Sequence, residues 1–199
     1  MAGQRGAAGW LKSIDGSLAR ADSAPIMTRD ELAKRIAEVS LLHGDFTLRS
    51  GRKSKYYLDK YRFETQPDVL LELGKLFATH IGPNVNRIAG AELGAVPLAA
   101  ATAMASGKPF VIVRNQKKDY GTSKLVEGVL QPGETVMIVE DVLTTGGQVL
   151  EAAKSLQEAG AKIDKIVAVI DRLEGARENI EKAGLKFEAL FTVKDLGVK

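Results

Sequence analysis

Four apolar residues, Val136-Met137-Ile138-Val139, run directly into two adjacent carboxylates, Glu140-Asp141, and then through Val142-Leu143 into Thr144-Thr145-Gly146-Gly147-Gln148. The upstream Pro132-Gly133 is a turn signal, so the apolar run reads as a fully buried strand and Gln148 to Gly160 as the helix after it. Such a strand, followed at once by a helix, points to an α/β architecture in which ligands enter outside the carboxyl ends of the strands. The Thr-Thr-Gly-Gly bend suits a phosphate: glycine admits a close backbone approach, the first N–H groups of a helix have no partner within it, and two hydroxyls add donors. Glu140 and Asp141 would repel that phosphate and match sugar hydroxyls or a hard cation such as Mg²⁺. The plainer readings are that Thr144 or Thr145 is only an N-cap and that the acids only end a strand. The same order of features also fits a phosphoacceptor site.

The chain has 199 residues, of which 45% are hydrophobic. That is enough for one α/β domain with a sizeable core, and nothing requires a second. No apolar run approaches the roughly 20 residues of a membrane span, and the start lacks a secretory pattern. Cysteine is absent, so there is neither a disulfide framework nor a thiol nucleophile. A cytoplasmic protein is the expectation. The net charge of +3 is mild, and the basic residues cluster in two places rather than along a broad face, which argues against nucleic acid.

Residues 1 to 26 read as an extension, with a short helix around Trp10 to Ala21, that is as compatible with a mobile tail as with a docked segment. The domain proper spans residues 27 to 199. Thr28-Arg29-Asp30-Glu31 has capping-box spacing, Leu32, Ile36, Val39 and Leu42 share a helical face, and His43-Gly44 is the expected stop. Phe46 to Asp59 predicts two short strands with a Gly-containing turn, and Arg52, Lys53 and Lys55 read most simply as a solvated tip. A helix over Pro67 to Ile81, a strand over Arg87 to Gly90, a turn ending at Gly94, a small-residue helix over Val96 to Ala105 and a strand over Pro109 to Val113 give a βαβα rhythm. Past the central motif come a strand at Ile166 to Ile170, the polar Asp171-Arg172-Leu173-Glu174-Gly175, a helix at Ala176 to Ala183 and a strand at Phe187 to Thr192. The expected fold is therefore a mostly parallel central sheet with helices on both faces.

Arg114 to Gly128 breaks this rhythm, being polar, charged and without an apolar period. Its flanks let Arg114, Lys117, Lys118 and Lys124 reach over the phosphate bend as a lid of positive charge. His43 and His80 lie near expected helix ends, where the dipole is explanation enough, and neither belongs to a triad or a zinc motif.

Over Val136 to Gln148 the chain resembles the phosphoribosyl pyrophosphate (PRPP) motif of type I phosphoribosyltransferases. With Phe46 to Ser54, Tyr56-Tyr57, the lid, Asp171 to Gly175 and Thr192 to Leu196 in the same order, it is similar to orotate phosphoribosyltransferases from about Thr28 onward. The resemblance implies a small N-terminal hood on the type I phosphoribosyltransferase fold, transfer of phosphoribosyl from PRPP to orotate, and a homodimer whose lid acts in trans. Arg49, Arg114, Lys117, Lys118, Tyr120 and the loop Glu140, Asp141, Val142, Leu143, Thr144, Thr145, Gly146, Gly147 and Gln148 would bind PRPP. Thr144, Arg172, Tyr57 and Leu58 would hold orotate. A guanidinium fork at Arg172 fits orotate's carboxylate. Lys118, Arg114, Glu140 and Asp141 carry the expected chemistry: the cations steady pyrophosphate while the acids hold ribose hydroxyls or waters of Mg²⁺. The ion is expected to arrive with PRPP, with Asp141 the candidate protein contact. Asp141 and water are alternative acceptors of the orotate N1 proton.

The chain departs from the family pattern at three places. Asn115 replaces a frequent Lys, Glu92-Leu93-Gly94 occupies a turn where some members have Tyr-Lys, and residues 1 to 26 match nothing. A purine phosphoribosyltransferase and a PRPP-fold regulator that binds RNA are the rival readings. The first is disfavoured by Arg172, since a neutral purine has no carboxylate, and the second by the modest charge.

Overall fold

The computed structural model describes residues 27–47, 51, 53–115 and 125–198. The expected extension (1–26), together with Arg49, Arg52, Lys117, Lys118, Tyr120 and Lys124, lies outside these residues. Helix α1 (Arg29–Ser40) starts on the expected capping box: the Thr28 side chain accepts the Glu31 N–H, and the Glu31 carboxylate accepts the Thr28 N–H at 2.8 Å. It ends earlier than expected. Leu41 is already extended and pairs with Leu58, so Leu42, His43 and Gly44 belong to strand β1 (Leu41–Thr47), not to the helix or its stop. A register shift between His43 and Phe46 bends this strand against β2 (Lys53–Leu58), with which it forms a separate antiparallel pair.

A short helix not foreseen from the pattern, α2 (Lys60–Glu64), follows at once, and α3 (Pro67–Thr79) begins with Pro67 in its first turn as expected. Then come β3 (Arg87–Ala91), α4 (Ala95–Ser106) and β4 (Phe110–Val113). Strand β5 (Val126–Glu127) lies inside the span expected to be lid. It pairs antiparallel with Ile112 and Val113, and the Arg114 N–H donates to the Leu125 carbonyl at 2.8 Å. Arg114 and Leu125 to Glu127 are thus a hydrogen-bonded stem, because a buried Val126 can join the sheet edge. The remainder is β6 (Thr135–Leu143), α5 (Gly147–Glu158), β7 (Lys162–Asp171), α6 (Ala176–Lys182) and β8 (Phe187–Thr192).

The main sheet has the order β5-β4-β3-β6-β7-β8 and is parallel except at β5. Side chains of β6 alternate between its faces: Met137 and Val139 pack with Leu32, Ile36, Leu73, Phe77 and Leu98, whereas Val136 and Ile138 pack with Val149, Ala153, Leu156 and Ile180. Both faces are therefore covered by helices, as the near-continuous apolar runs of β6 and β7 require. From β3 the chain crosses to β4, and from β6 it crosses to β7 in the opposite direction. The loops after β3 and β6 consequently leave neighbouring strand ends on either side of a topological switch point, where open α/β sheets form their ligand crevice.

Candidate active site

Strand β6 continues through the acid pair to Leu143, so Glu140 and Asp141 stand inside the sheet's carboxyl edge rather than beyond it. Both are buried, at 7% and 1% exposure. They nevertheless line a cavity of about 230 Å³ together with Lys60, Val142, Leu143 and Thr144 to Gln148. Thr144, Thr145, Gly147 and Gln148 are exposed along it. Gly146, with φ of 78°, precedes α5 in the left-handed conformation, and no side chain caps this helix. The N-cap reading of Thr144 and Thr145 is thereby overturned: the helix start is left for another acceptor. Helix α6 supports the bend from behind, through Asn179 Nδ2 donating to the Thr145 carbonyl at 2.9 Å and Ile180 against Gly146.

The surroundings of Asp141 were not foreseen. Lys60 Nζ donates to Asp141 Oδ2 at 2.6 Å, and Glu64, one turn further along α2, approaches the same place. Glu64 Oε1 and Glu140 Oε2 are buried with no hydrogen-bond partner. Burial, and after it the Asp141 charge, raises the pKa of both Glu64 and Glu140 well above the usual carboxylate range. Burial opposes the charge on Lys60, but Asp141 and then Glu140 and Glu64 outweigh it and raise its pKa. Nothing in the amphipathic pattern marks a five-residue helix, so neither Lys60 nor Glu64 stood out. The Asp59-Lys60 pair at the end of an alternating strand was the available signal.

Asn115 carries no charge but braces the site. Its N–H donates to Glu92 Oε1 at 2.8 Å and its Nδ2 to the Glu92 carbonyl at 2.9 Å, while Gln148 Nε2 donates to Asn115 Oδ1 at 3.0 Å. This joins the end of β4, the turn after β3 and the start of α5. The Glu92-Leu93 peptide of that turn is cis. Arg114 and Gln148 line an adjoining cavity of about 300 Å³.

Arg172 lies directly beside the bend: its N–H donates to the Leu143 carbonyl at 2.9 Å. Its guanidinium is 3.0 Å from Glu174 Oε1 and 3.5 Å from the Tyr56 hydroxyl, and its buried Nε lacks a partner. The aromatic residue brought to Arg172 is Tyr56, not the expected Tyr57. Strand alternation puts Tyr57 on the other face, exposed and 5.7 Å from the Phe46 ring, and Leu58 in the core. Neither histidine is here: His43 is in β1, and His80 caps α3 with Nδ1 2.6 Å from Glu188 Oε2, a carboxylate partner rather than the dipole alone.

The arrangement offers hydroxyls and open N–H groups at one place, buried acids next to them and a guanidinium fork beside both. It can hold an anionic sugar and a carboxylate-bearing partner side by side. The phosphoribosyl transferase domain family matches residues 62–193. The orotate phosphoribosyltransferase of Methanocella arvoryzae is 49% identical over 166 residues, covering 83% of this chain and 94% of that one. That of Methanocaldococcus jannaschii is 44% identical over 169 residues, covering 84% and 96%. Among solved structures, Mycobacterium tuberculosis orotate phosphoribosyltransferase in complex with Fe(III) dicitrate superposes with a TM-score of 0.78 at 34% identity, over 85% of this chain and 99% of that one. The same enzyme in complex with PRPP gives 0.74 at 33% identity, over 85% and 99%.

Proposed function

The chain belongs to the orotate phosphoribosyltransferases, within the phosphoribosyl transferase domain family, and from this premise we propose how its residues carry out the family's reaction. The phosphoribosyl group of PRPP passes to orotate, giving orotidine 5′-monophosphate and pyrophosphate, a step of pyrimidine synthesis. The observation that carries the residue assignment is that the acid pair and the uncapped Thr144 to Gln148 bend line one cavity at the switch point.

The 5′-phosphate sits in the Thr144 to Gly147 bend, against hydroxyls and the first N–H groups of α5. Glu140 and Asp141 hold the ribose hydroxyls. Arg172, with its unpartnered Nε, receives the orotate carboxylate from beside Thr144, and Tyr56 closes that side. As the C1′ bond to pyrophosphate lengthens, positive charge grows on the ribose ring and negative charge on the leaving group. The Asp141 carboxylate stabilises the first, and Arg114, Lys117 and Lys118, with Tyr120 and Arg49, serve the second. The chain is proposed to act as a cytoplasmic homodimer, with Arg114, Lys118 and Tyr120 given to the partner's site. No helix among the described residues is long and apolar enough to cross a membrane.

A divalent ion fits this site as a companion of the substrate. Among the described residues no group of three or more His, Asp or Glu is arranged to hold a metal, whereas Asp141 and the unpartnered Glu140 Oε2 are hard oxygen donors on the cavity wall. Mg²⁺ brought by PRPP would meet these two, and when bound it would neutralise charge on the pyrophosphate.

The test is a panel of bases: the protein with PRPP, MgCl₂ and one of orotate, uracil, adenine or hypoxanthine, followed by loss of free base. Orotate alone is expected to be consumed. Consumption of a purine, with orotate untouched, would refute the assignment of Arg172.

A further inference from the structure

Lys60 is the only positively charged side chain among the described residues that lines the acid-pair cavity. Its side chain is 34% exposed while that of Asp141 is 2% exposed, and its ammonium sits on that buried carboxylate and 5.3 Å from the Tyr61 ring centroid. Asp141 has little capacity left as it stands. Its Oδ1 accepts the Val142 N–H, and its Oδ2 accepts from Lys60 and abuts Gly94. A ribose hydroxyl that bonds this carboxylate must share it with the ammonium or replace it.

A displaced ammonium in a partly buried place needs a new anion, since a charge held partly away from water without a partner is disfavoured. In the proposed pose the 5′-phosphate fills the Thr144 to Gly147 bend and the sugar lies over the acids, which leaves Lys60, held on Asp141 from α2, for the end of the substrate that carries the pyrophosphate. We infer that Lys60 is a PRPP-binding residue, supplied by the same chain as the acid pair, whose ammonium passes from Asp141 to the C1′ pyrophosphate as ribose hydroxyls take the carboxylate. The inference rests on the proposed function and adds to it a cation from outside the lid.

Titration calorimetry of full-length protein with inorganic pyrophosphate and, separately, ribose 5-phosphate, each with MgCl₂, tests it on wild type, Lys60→Gln and Lys60→Arg. Loss of one charge-assisted contact is expected to weaken pyrophosphate about fivefold or more in Lys60→Gln. Ribose 5-phosphate should stay within about twofold, and Lys60→Arg should recover most of the loss. A pyrophosphate loss below about fivefold, or equal losses for both ligands, would reduce Lys60 to a support for Asp141 and overturn the inference. Should Lys60→Gln fold poorly, the wild type itself decides: pyrophosphate with MgCl₂ must slow acetylation of Lys60 by a soluble reagent, read by peptide mass, and absence of protection overturns the proposal. Orotate turnover by the wild type separates the two levels. If it is lacking, the proposed function fails; if it is present and the Lys60 measurements are negative, only this inference does.

Discussion

Gly94 and Asp141 are packed so closely that a Cβ on residue 94 would overlap Asp141 Oδ2 and come within 2.9 Å of Glu64 Oε1. The turn after β3 is thereby pressed against the acid pair of β6, and only hydrogen at Cα leaves Asp141 where it is. Gly94→Ala should keep the fold, at a cost of about 1–3 kcal/mol from overpacking. Its kcat/KM should fall by about 100-fold or more, because the carboxylate proposed to hold the ribose must move. Unchanged kcat/KM would show that Asp141 needs no fixed position.

Arg172 offers a test of base recognition. Lysine retains the charge at this position but not the planar fork. In Arg172→Lys the KM for orotate should rise about 10- to 100-fold while the KM for PRPP changes less than about threefold. A rise confined to PRPP would move Arg172 out of the base pocket.

Gly147 separates folding from phosphate binding. It is the first residue of α5, its φ is not among the positive ones, and a Cβ added there meets nothing within 4 Å. Gly147→Ala should therefore leave the melting temperature unchanged or slightly higher. The added methyl group stands where the phosphate would approach the backbone, so the KM for PRPP should rise about tenfold or more. Normal PRPP kinetics in this variant would put the 5′-phosphate elsewhere.

The buried Glu64 makes stability depend on pH. Its pKa is raised to about 9 by burial and the Asp141 charge, from an ordinary value of 4.5. A folded pKa above the unfolded one means that the folded state binds the extra proton. This stabilising contribution is complete below about pH 4.5 and is lost as pH rises toward about 9. Glu64→Gln should melt about 3 °C or more above the wild type at pH 8, and the difference should vanish near pH 4. A gap that instead widens toward acid would reverse the assigned direction.

The architecture could be read from periodicity because β6 and β7 are buried on both faces, while α1, α3 and α5 each show one apolar stripe. The strand-to-helix bend at Thr144 to Gln148 was legible too, because glycines and hydroxyls between two apolar runs mark a turn. Helix α2 was not legible, since five residues give no period and the burial of Glu64 depends on a strand far away in the chain. The end of α1 differs from its expected place because Leu42 continues the helical stripe, yet cross-strand pairing with Tyr57 wins over propensity. That Tyr56, and not Tyr57, faces Arg172 was not legible, because an alternating strand can turn either parity inward. Asn115 looked like a missing cation, and its bracing of Glu92 and Gln148 needed three segments to be brought together.

A crystal structure with PRPP and MgCl₂ bound is the most direct test of the cavity at the end of β6. The 5′-phosphate is expected among the Thr144 and Thr145 hydroxyls and the backbone N–H groups of Gly146 to Gln148, with ribose hydroxyls on Glu140 and Asp141. A 5′-phosphate bound away from that bend, with the two acids still covered by Lys60 and Gly94, would contradict it.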